Sequence, residues 1–338
     1  MNLESFINER TLHQPKFKFE YDPNDAVAIQ EIAKATANII RDGIYQNIPE
    51  DIYHALPLPS AHKLFTLRKQ SPYHYWDKYL NPDRPVEKYE STSLVLGKAF
   101  HAFVLEPMRA IETVFKSPKC DMRTKDGKET MAAFKSSLPS GAIVLQPDDH
   151  ERLMLMVNNF FKSKKNVENF KDISGGLNEV TLIWTENGVK MRGRVDRIFN
   201  GTLHDLKTAN DVNRFAFGES ANRYGYPWQL MIYQRAWKAL TGETLNPLIT
   251  AIESERPFGS KYFIVGDAVL EKESEIFSKI LDIYTYCLRT NDWFSYEERS
   301  EFLFTRSTYF DERNWFDDIN IQLAPPPTTT QTTRVYDV

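Results

Sequence analysis

Three β-rich runs hold the residues best equipped for chemistry: NEVTLIWT from Asn178, VKMRGRVDRIF from Val189 and TLHDLKT from Thr202, joined by Asn187-Gly188 and Asn200-Gly201. Two-residue Asn-Gly loops fix the register of a hairpin, so opposed residues follow from counting outward from each turn. The first turn sets Glu179 opposite Asp196, and the second sets Asp196 opposite Asp205. Opposed side chains lie about 4.5–5.5 Å apart at Cβ, and like charges there repel. A positive group is therefore expected among the three acids. Lys207 shares the alternation of Asp205, and Arg192 and Arg194 share that of Asp196. A divalent cation held by carboxylate oxygens, with a lysine beside it, is equipment for phosphodiester hydrolysis. The metal polarises the phosphate and lowers the pKa of water, and the lysine orients or deprotonates that water. The competing reading is a solvated sheet face, the usual fate of alternating charges. A solvated face seldom stacks acids in one line, because exchanging one for lysine would relieve the repulsion.

These strands need helices to hold them. TSLVLGKAFHAFVLEP reads as a helix ended by Pro107, with Gly97 and His101 four residues apart on one face. Ser60 caps a short helix that Ser71-Pro72 halts, and a further amphipathic helix runs from Arg152 to Phe161. Beyond the strands come helices at about Asn213 to Asn222 and Pro227 to Leu240, with Gly242 as the exit, then strands in LITAIESE and KYFIV. The expected fold is α/β: a mixed sheet with an antiparallel meander flanked by helices. Residues 1–55, with one helix around Asn24 to Arg41, read as an accessory segment, 56–322 as the main domain, and 323–338 as a disordered Pro/Thr-rich tail.

Composition narrows the classes. The 338 residues are 41% hydrophobic and 26% charged, which excludes disordered, collagen-like and disulfide-scaffold proteins. A net charge of -4 supplies no global basic field for nucleic acid, although an acidic metal site can coexist with local basic patches. Cys120 and Cys287 are the only cysteines, which excludes a four-cysteine zinc or iron–sulfur site and reads as two buried thiols. The sequence has neither a membrane-length apolar run nor a signal-peptide pattern, so a cytoplasmic setting without membrane contact is expected.

Asp196 followed by Asp205-Leu206-Lys207 resembles the core of the PD-(D/E)XK nucleases, with Asp where many members carry Glu. Other motifs are similar to the RecB-like branch and, within it, to RecE-type phage and prophage exonucleases. They are Gly97 to His101 with Leu105-Glu106-Pro107, Gln229 to Tyr233, Ser71 to Tyr75, and Glu253 to Pro257. The resemblance spans residues 56 to 265. It implies a PD-(D/E)XK nuclease core, with His101, Asp196, Asp205 and the Leu206 backbone carbonyl as metal ligands, Lys207 as catalytic lysine and Glu179 as a second-metal or water ligand. It implies Mg²⁺ or Mn²⁺, two ions per site with substrate bound; the imidazole suits Mn²⁺ better. Gln229 and Tyr233 would contact DNA or brace the site, and Arg192 and Arg194 would contact DNA phosphates. The implied activity is 5′ to 3′ digestion of one strand of linear duplex DNA, leaving 3′ single strands for recombination. Its implied partners are duplex DNA ends, a single-strand annealing protein, and further copies of the chain in a ring-shaped trimer or tetramer.

Each residue has a plainer reading. His101 alone would be a core histidine, Tyr233 an ordinary core aromatic, and the arginines a solvated surface. Rival functions are another RecB-like nuclease, whether helicase-coupled or endonucleolytic, and a catalytically idle DNA-binding scaffold on the same fold. An idle member normally loses a carboxylate or the lysine, and here all are present. A small-molecule α/β domain is disfavoured because no Gly-rich phosphate loop follows a strand.

Overall fold

The computed structural model describes residues 25–85, 91–139 and 141–296. The 323–338 tail and the first 24 residues of the accessory segment lie outside the described residues.

The meander forms as its turns demand. Strands β4 (Leu177–Glu186), β5 (Val189–Phe199) and β6 (Thr202–Ala209) are joined at Asn187-Gly188 and Asn200-Gly201. All four turn residues have positive φ, between 47° and 76°, as a type I′ turn requires. Edge strand β1 (Gly43–Tyr45) pairs antiparallel with β4, so residues before 56 contribute to the sheet. On the far side β6 pairs in parallel with β7 (Asn246–Glu253), which pairs antiparallel with β8 (Ser260–Ile264). The sheet order is β1-β4-β5-β6-β7-β8. Strands β2 (Val114–Lys116) and β3 (Ile143–Leu145) form a separate parallel pair.

Helices cover both faces. Before the sheet come α1 (Ala26–Ile39), α2 (Glu50–Ala55), α3 (Ala61–Lys69) and α4 (Pro72–Tyr79). Asp25 caps α1 and Ser60 caps α3, each by accepting backbone amides. Helix α3 stops at Lys69, ahead of Ser71-Pro72 as expected, and Pro72 then opens α4 at its first position, where its missing amide costs nothing. Next are α5 (Thr92–Leu105), α6 (Pro107–Thr113), α7 (Lys125–Ser136), α8 (Pro147–Phe160) and α9 (Lys164–Phe170). The β6–β7 crossover carries α10 (Arg214–Tyr224) and α11 (Tyr226–Thr241), and α12 (Asp267–Thr290) follows β8.

Two large cores result. Leu64 of α3, Trp228 of α11 and Phe277 of α12 pack with Leu182, Val195 and Leu203. Phe100 of α5 and Phe160 of α8 pack with Phe170, Leu206 and Ile252. Each such fully buried side chain contributes about 1.5–3 kcal/mol. A smaller cluster ties Ala33, Ile40 and Ile52 of the N-terminal segment to Ile183 of β4.

Two expectations are corrected. Cys287 is buried, but Cys120 is half-buried on a loop beside Met122, outside the core. The larger correction concerns register. The β4–β5 ladder follows the turn throughout, interrupted only at Glu179–Asp196. The β5–β6 ladder starts in the expected register but stops at Arg197–His204, so Asp196 and Asp205 are not a cross-strand pair. The physical reason is the Asp196 side chain, whose Oδ2 accepts the Leu206 amide at 2.7 Å and so replaces a ladder partner. Beyond this point β6 is held by β7 alone, and the meander opens.

Candidate active site

The opening places main-chain and side-chain polar groups where a closed sheet would hide them. Among the described residues, His101, Glu179 and Asp196 each direct a ligand atom to a common point, the three atoms lying within 4.8 Å of one another. His101 arrives from α5. A Cβ on Gly97 would stand 3.1 Å from Thr208 Oγ1, so glycine lets α5 cross β6 closely enough for His101, one turn on, to reach the gap. Its Nδ1 lies 3.8 Å from Asp196 Oδ2, with the Leu206 backbone beside the ring. Glu179 arrives by strain: its φ is 48°, a left-handed conformation inside a strand that breaks the ladder there.

Asp205 and Lys207 alternate with Leu206, which packs under α5, and share the parity of Leu203, which packs with α11 and α12. Lys207 Nζ donates to Asp205 Oδ1 at 2.7 Å. Gln229 Nε2 is 3.4 Å from the same oxygen and 3.4 Å from the Tyr233 hydroxyl. Tyr233 is buried against Gly193, where a Cβ would meet its ring at 2.6 Å. Gln229 and Tyr233 therefore brace the lysine–aspartate pair from one helical turn of α11. Asp205 stands outside the convergent group in which Glu179 joins His101 and Asp196.

The electrostatics are those of a site short of positive charge. Burial, with Asp196 beside it, raises the Glu179 carboxyl to about 8. Burial also raises Asp205 to about 6 despite Lys207, with Asp196 adding to the rise. Burial raises Asp196 too, against Lys207 and the Leu206 amide. It lowers His101 to about 4, with Lys207 adding to the effect. Burial pulls the Lys207 ammonium down, but Asp205 and Asp196 outweigh it and hold the group above its ordinary value. Asp205 Oδ2 is buried without a hydrogen-bond partner. Crowded carboxylates, an orphaned carboxylate oxygen and one neutral imidazole fit a divalent cation of the Mg²⁺ or Mn²⁺ type.

The site opens into a cleft of about 660 Å³. Arg192 and Arg194 line it, but much of their hydrogen bonding is to the protein itself. Arg192 donates to the carbonyls of Leu58 and His54, and Arg194 to Thr181 Oγ1 and the Ile48 carbonyl. Both guanidinium groups stack on Tyr53, at 4.5 and 4.2 Å from its ring centroid. Tyr53 escapes sequence reasoning because it lies in the segment read as accessory. Lys63 and Tyr226 also line the cleft unanticipated; Tyr226 sits under Lys207 Nζ at 5.0 Å. Ser71 receives or donates a hydrogen bond with His74 at 2.7 Å, and Glu253 accepts the Val212 and Gly259 amides. Both are local braces that hold turns.

No curated protein matches the sequence. A crystal structure of a candidate exonuclease from Eubacterium rectale superposes with a TM-score of 0.50 at 14% identity, covering 76% of this chain and 97% of that one. A second solved chain, SSO0001, aligns over 57% of this chain and 77% of its own at 12% identity, with a TM-score of 0.22. The first likeness concerns the fold: a mixed sheet with an antiparallel meander between helices, as in PD-(D/E)XK nucleases. Residues 62–304 match the family model described as a PDDEXK-like domain of unknown function, DUF3799, and since that match spans most of the sequence, the chain belongs to this family.

Proposed function

We propose that this chain is a divalent-metal-dependent nuclease that hydrolyses phosphodiester bonds of DNA in the cleft beside the opened meander. The observation that carries the reading is the convergence of His101, Glu179 and Asp196 next to the intact Lys207–Asp205 pair. A cation held by His101, Asp196 and Glu179, with the Leu206 carbonyl and Asp205 close by, would supply Lewis acidity toward the scissile phosphate and acidify water.

The remaining chemistry belongs to the protein. Of the two roles open to Lys207, its raised pKa favours that of a donor: an ammonium anchored to Asp205 offers its other protons to a phosphate oxygen or to the attacking water. Gln229 and Tyr233 fix the anchor, and the Tyr226 ring covers the ammonium from below. The Leu206 amide holds Asp196 in a single orientation.

The finer reading is a RecE-type exonuclease, supported by the ordered motifs around Gly97, His101, Asp196, Lys207, Gln229 and Tyr233. On that reading the enzyme digests one strand of linear duplex from its end, 5′ to 3′, as a ring-shaped trimer or tetramer that hands 3′ strands to an annealing protein. No described helix is long and apolar enough to cross a membrane. The test is digestion of linear and covalently closed duplex, end-labelled at either terminus, with Mg²⁺, Mn²⁺ or EDTA. Linear DNA lost from one labelled end, with circles spared, supports the reading. Rapid cutting of closed circles favours an endonuclease, and no cutting of any DNA refutes the activity.

A further inference from the structure

Several half-buried cations of the chain are compensated by carboxylates, while Lys190 and Arg194 donate to neutral oxygens instead. Arg68 pairs with Glu273, Arg152 with Asp149 and Glu255, Arg235 with Glu186, and Lys207 with Asp205. Arg197 is fully buried without a carboxylate, but carbonyls and Asn178 engage every nitrogen of its guanidinium. One stretch of the cleft wall departs from this pattern. Lys63, on the first turn of α3, lines the cleft and has no ion-pair partner among the described residues; its Nζ lies 5.5 Å from the centre of the Tyr79 ring. Arg192, whose backbone bridges to Ser60 at the cap of the Lys63 helix, is 2% exposed, and its Nη1 has no hydrogen-bond partner. The two cations repel each other: burial, then Arg192, depresses the Lys63 ammonium to about 8.

A buried guanidinium with a half-buried ammonium near it and no anion to compensate them is unfavourable, and the arrangement makes sense if an anion arrives with the substrate. Arg192 lies four residues from Asp196 along β5, roughly 13 Å at the rise of a strand, and both line the same cleft. A polyanion whose cleaved phosphate lies at Asp196 must pass through this neighbourhood with its next charges.

We propose that Lys63, with Arg192 beneath it, forms a phosphate-binding subsite that grips a phosphate of the substrate strand other than the one being cut. The inference rests on the phosphodiesterase reading for the identity of its ligand. Lys63 makes the contact, and Arg192, anchored through Nε and Nη2, supplies positive field. The ligand chemistry is a phosphate oxygen, from either an internal phosphodiester or a terminal phosphomonoester.

The test is binding of labelled oligonucleotides to the full chain in EDTA, where no turnover occurs, compared between wild type and Lys63→Gln. The variant should bind roughly tenfold more weakly, and the slope of log affinity against log salt should shrink by about one. Single methylphosphonate linkages, which are neutral, should weaken wild-type binding at one position and have no further effect in Lys63→Gln, a coupling that only direct contact produces. If removing the terminal phosphate reproduces that coupling, the ligand is the monoester; if an internal linkage does, it is the diester. Lys63→Gln should melt no lower than wild type, and Lys63→Arg should restore binding. Unchanged affinity in Lys63→Gln, or additive losses at every linkage, overturns the subsite. Coupled loss of binding in a chain that cleaves no DNA would leave the subsite standing and refute the activity instead.

Discussion

The two Asn-Gly hairpins begin alike and end differently. β4–β5 keeps its ladder from Glu186–Val189 to Leu177–Ile198, with one interruption, whereas β5–β6 closes only from Phe199–Thr202 to Arg197–His204 and then parts. The closed hairpin contributes Leu182, Trp184 and Val195 to the core. The open one releases the Leu206 amide from ladder pairing to the Asp196 carboxylate and collects Asp196, Asp205 and Lys207 around it. The lesson is a division of labour within one meander: a paired ladder stabilises, and chemistry needs the place where pairing is given up. The single interruption of the closed ladder, at strained Glu179, faces the same gap.

The sharpest way to separate the two hairpins is substitution on the open one. Asp196→Asn and Lys207→Ala should each reduce DNA cleavage by about two orders of magnitude or more. The asparagine can still accept the Leu206 amide, so its melting temperature should match wild type or exceed it; nuclease assays and thermal melts on the same preparations decide this. The converse substitution, Leu182→Ala on the closed hairpin, should cost about 3 kcal/mol of stability. Its cleavage rate per folded molecule should stay near wild type, as denaturant titration beside kinetics will show. A large rate loss in fully folded Leu182→Ala would break the division.

Much of this comparison was legible beforehand. The Asn-Gly dipeptides predicted both turns and the register, because two residues with positive φ leave a hairpin no other phase. Glu179, Asp196 and Lys207 were singled out from type and register and His101 from the family resemblance, and the structure brings all four to one cleft. The parting of β5 from β6 was not legible, since it depends on a side chain outcompeting a carbonyl for the Leu206 amide, which no periodicity records. Tyr53 and Lys63 were missed because a residue's value there comes from arginines far away in the chain. Helix α12 went unread although Leu270, Phe277, Leu281 and Tyr284 follow a helical stripe; β1, at three residues, is too short to show a period.

A smaller perturbation sharpens how α5 serves the open hairpin. Gly97→Ala forces Thr208 or α5 to yield by a few tenths of an ångström and should displace His101 from Asp196. Cleavage should fall by about tenfold, the scale expected for a misplaced ligand on a rigid element, with thermal stability nearly unchanged. Rates measured across Mn²⁺ concentration should show the loss as weakened metal dependence.

The gentlest test is pH. Glu179 moves from 4.5 to about 8, and a carboxyl raised by folding stabilises the native state only while protonated. Its contribution is fully present below pH 4.5 and is lost as pH rises to about 8. Metal-free wild type should therefore lose stability across that window, and Glu179→Gln should flatten this part of the profile. An identical slope in Glu179→Gln would show that the strained acid does not carry the charge crowding.

The most direct test of the open hairpin as a metal-dependent active site is cleavage of linear duplex DNA over a Mn²⁺ titration, for wild type and Asp196→Asn side by side. Wild type should be silent in EDTA and gain activity saturably with the ion, while Asp196→Asn stays at least about a hundredfold slower throughout. Cleavage that persists in EDTA, or that survives unchanged in Asp196→Asn, would contradict the account.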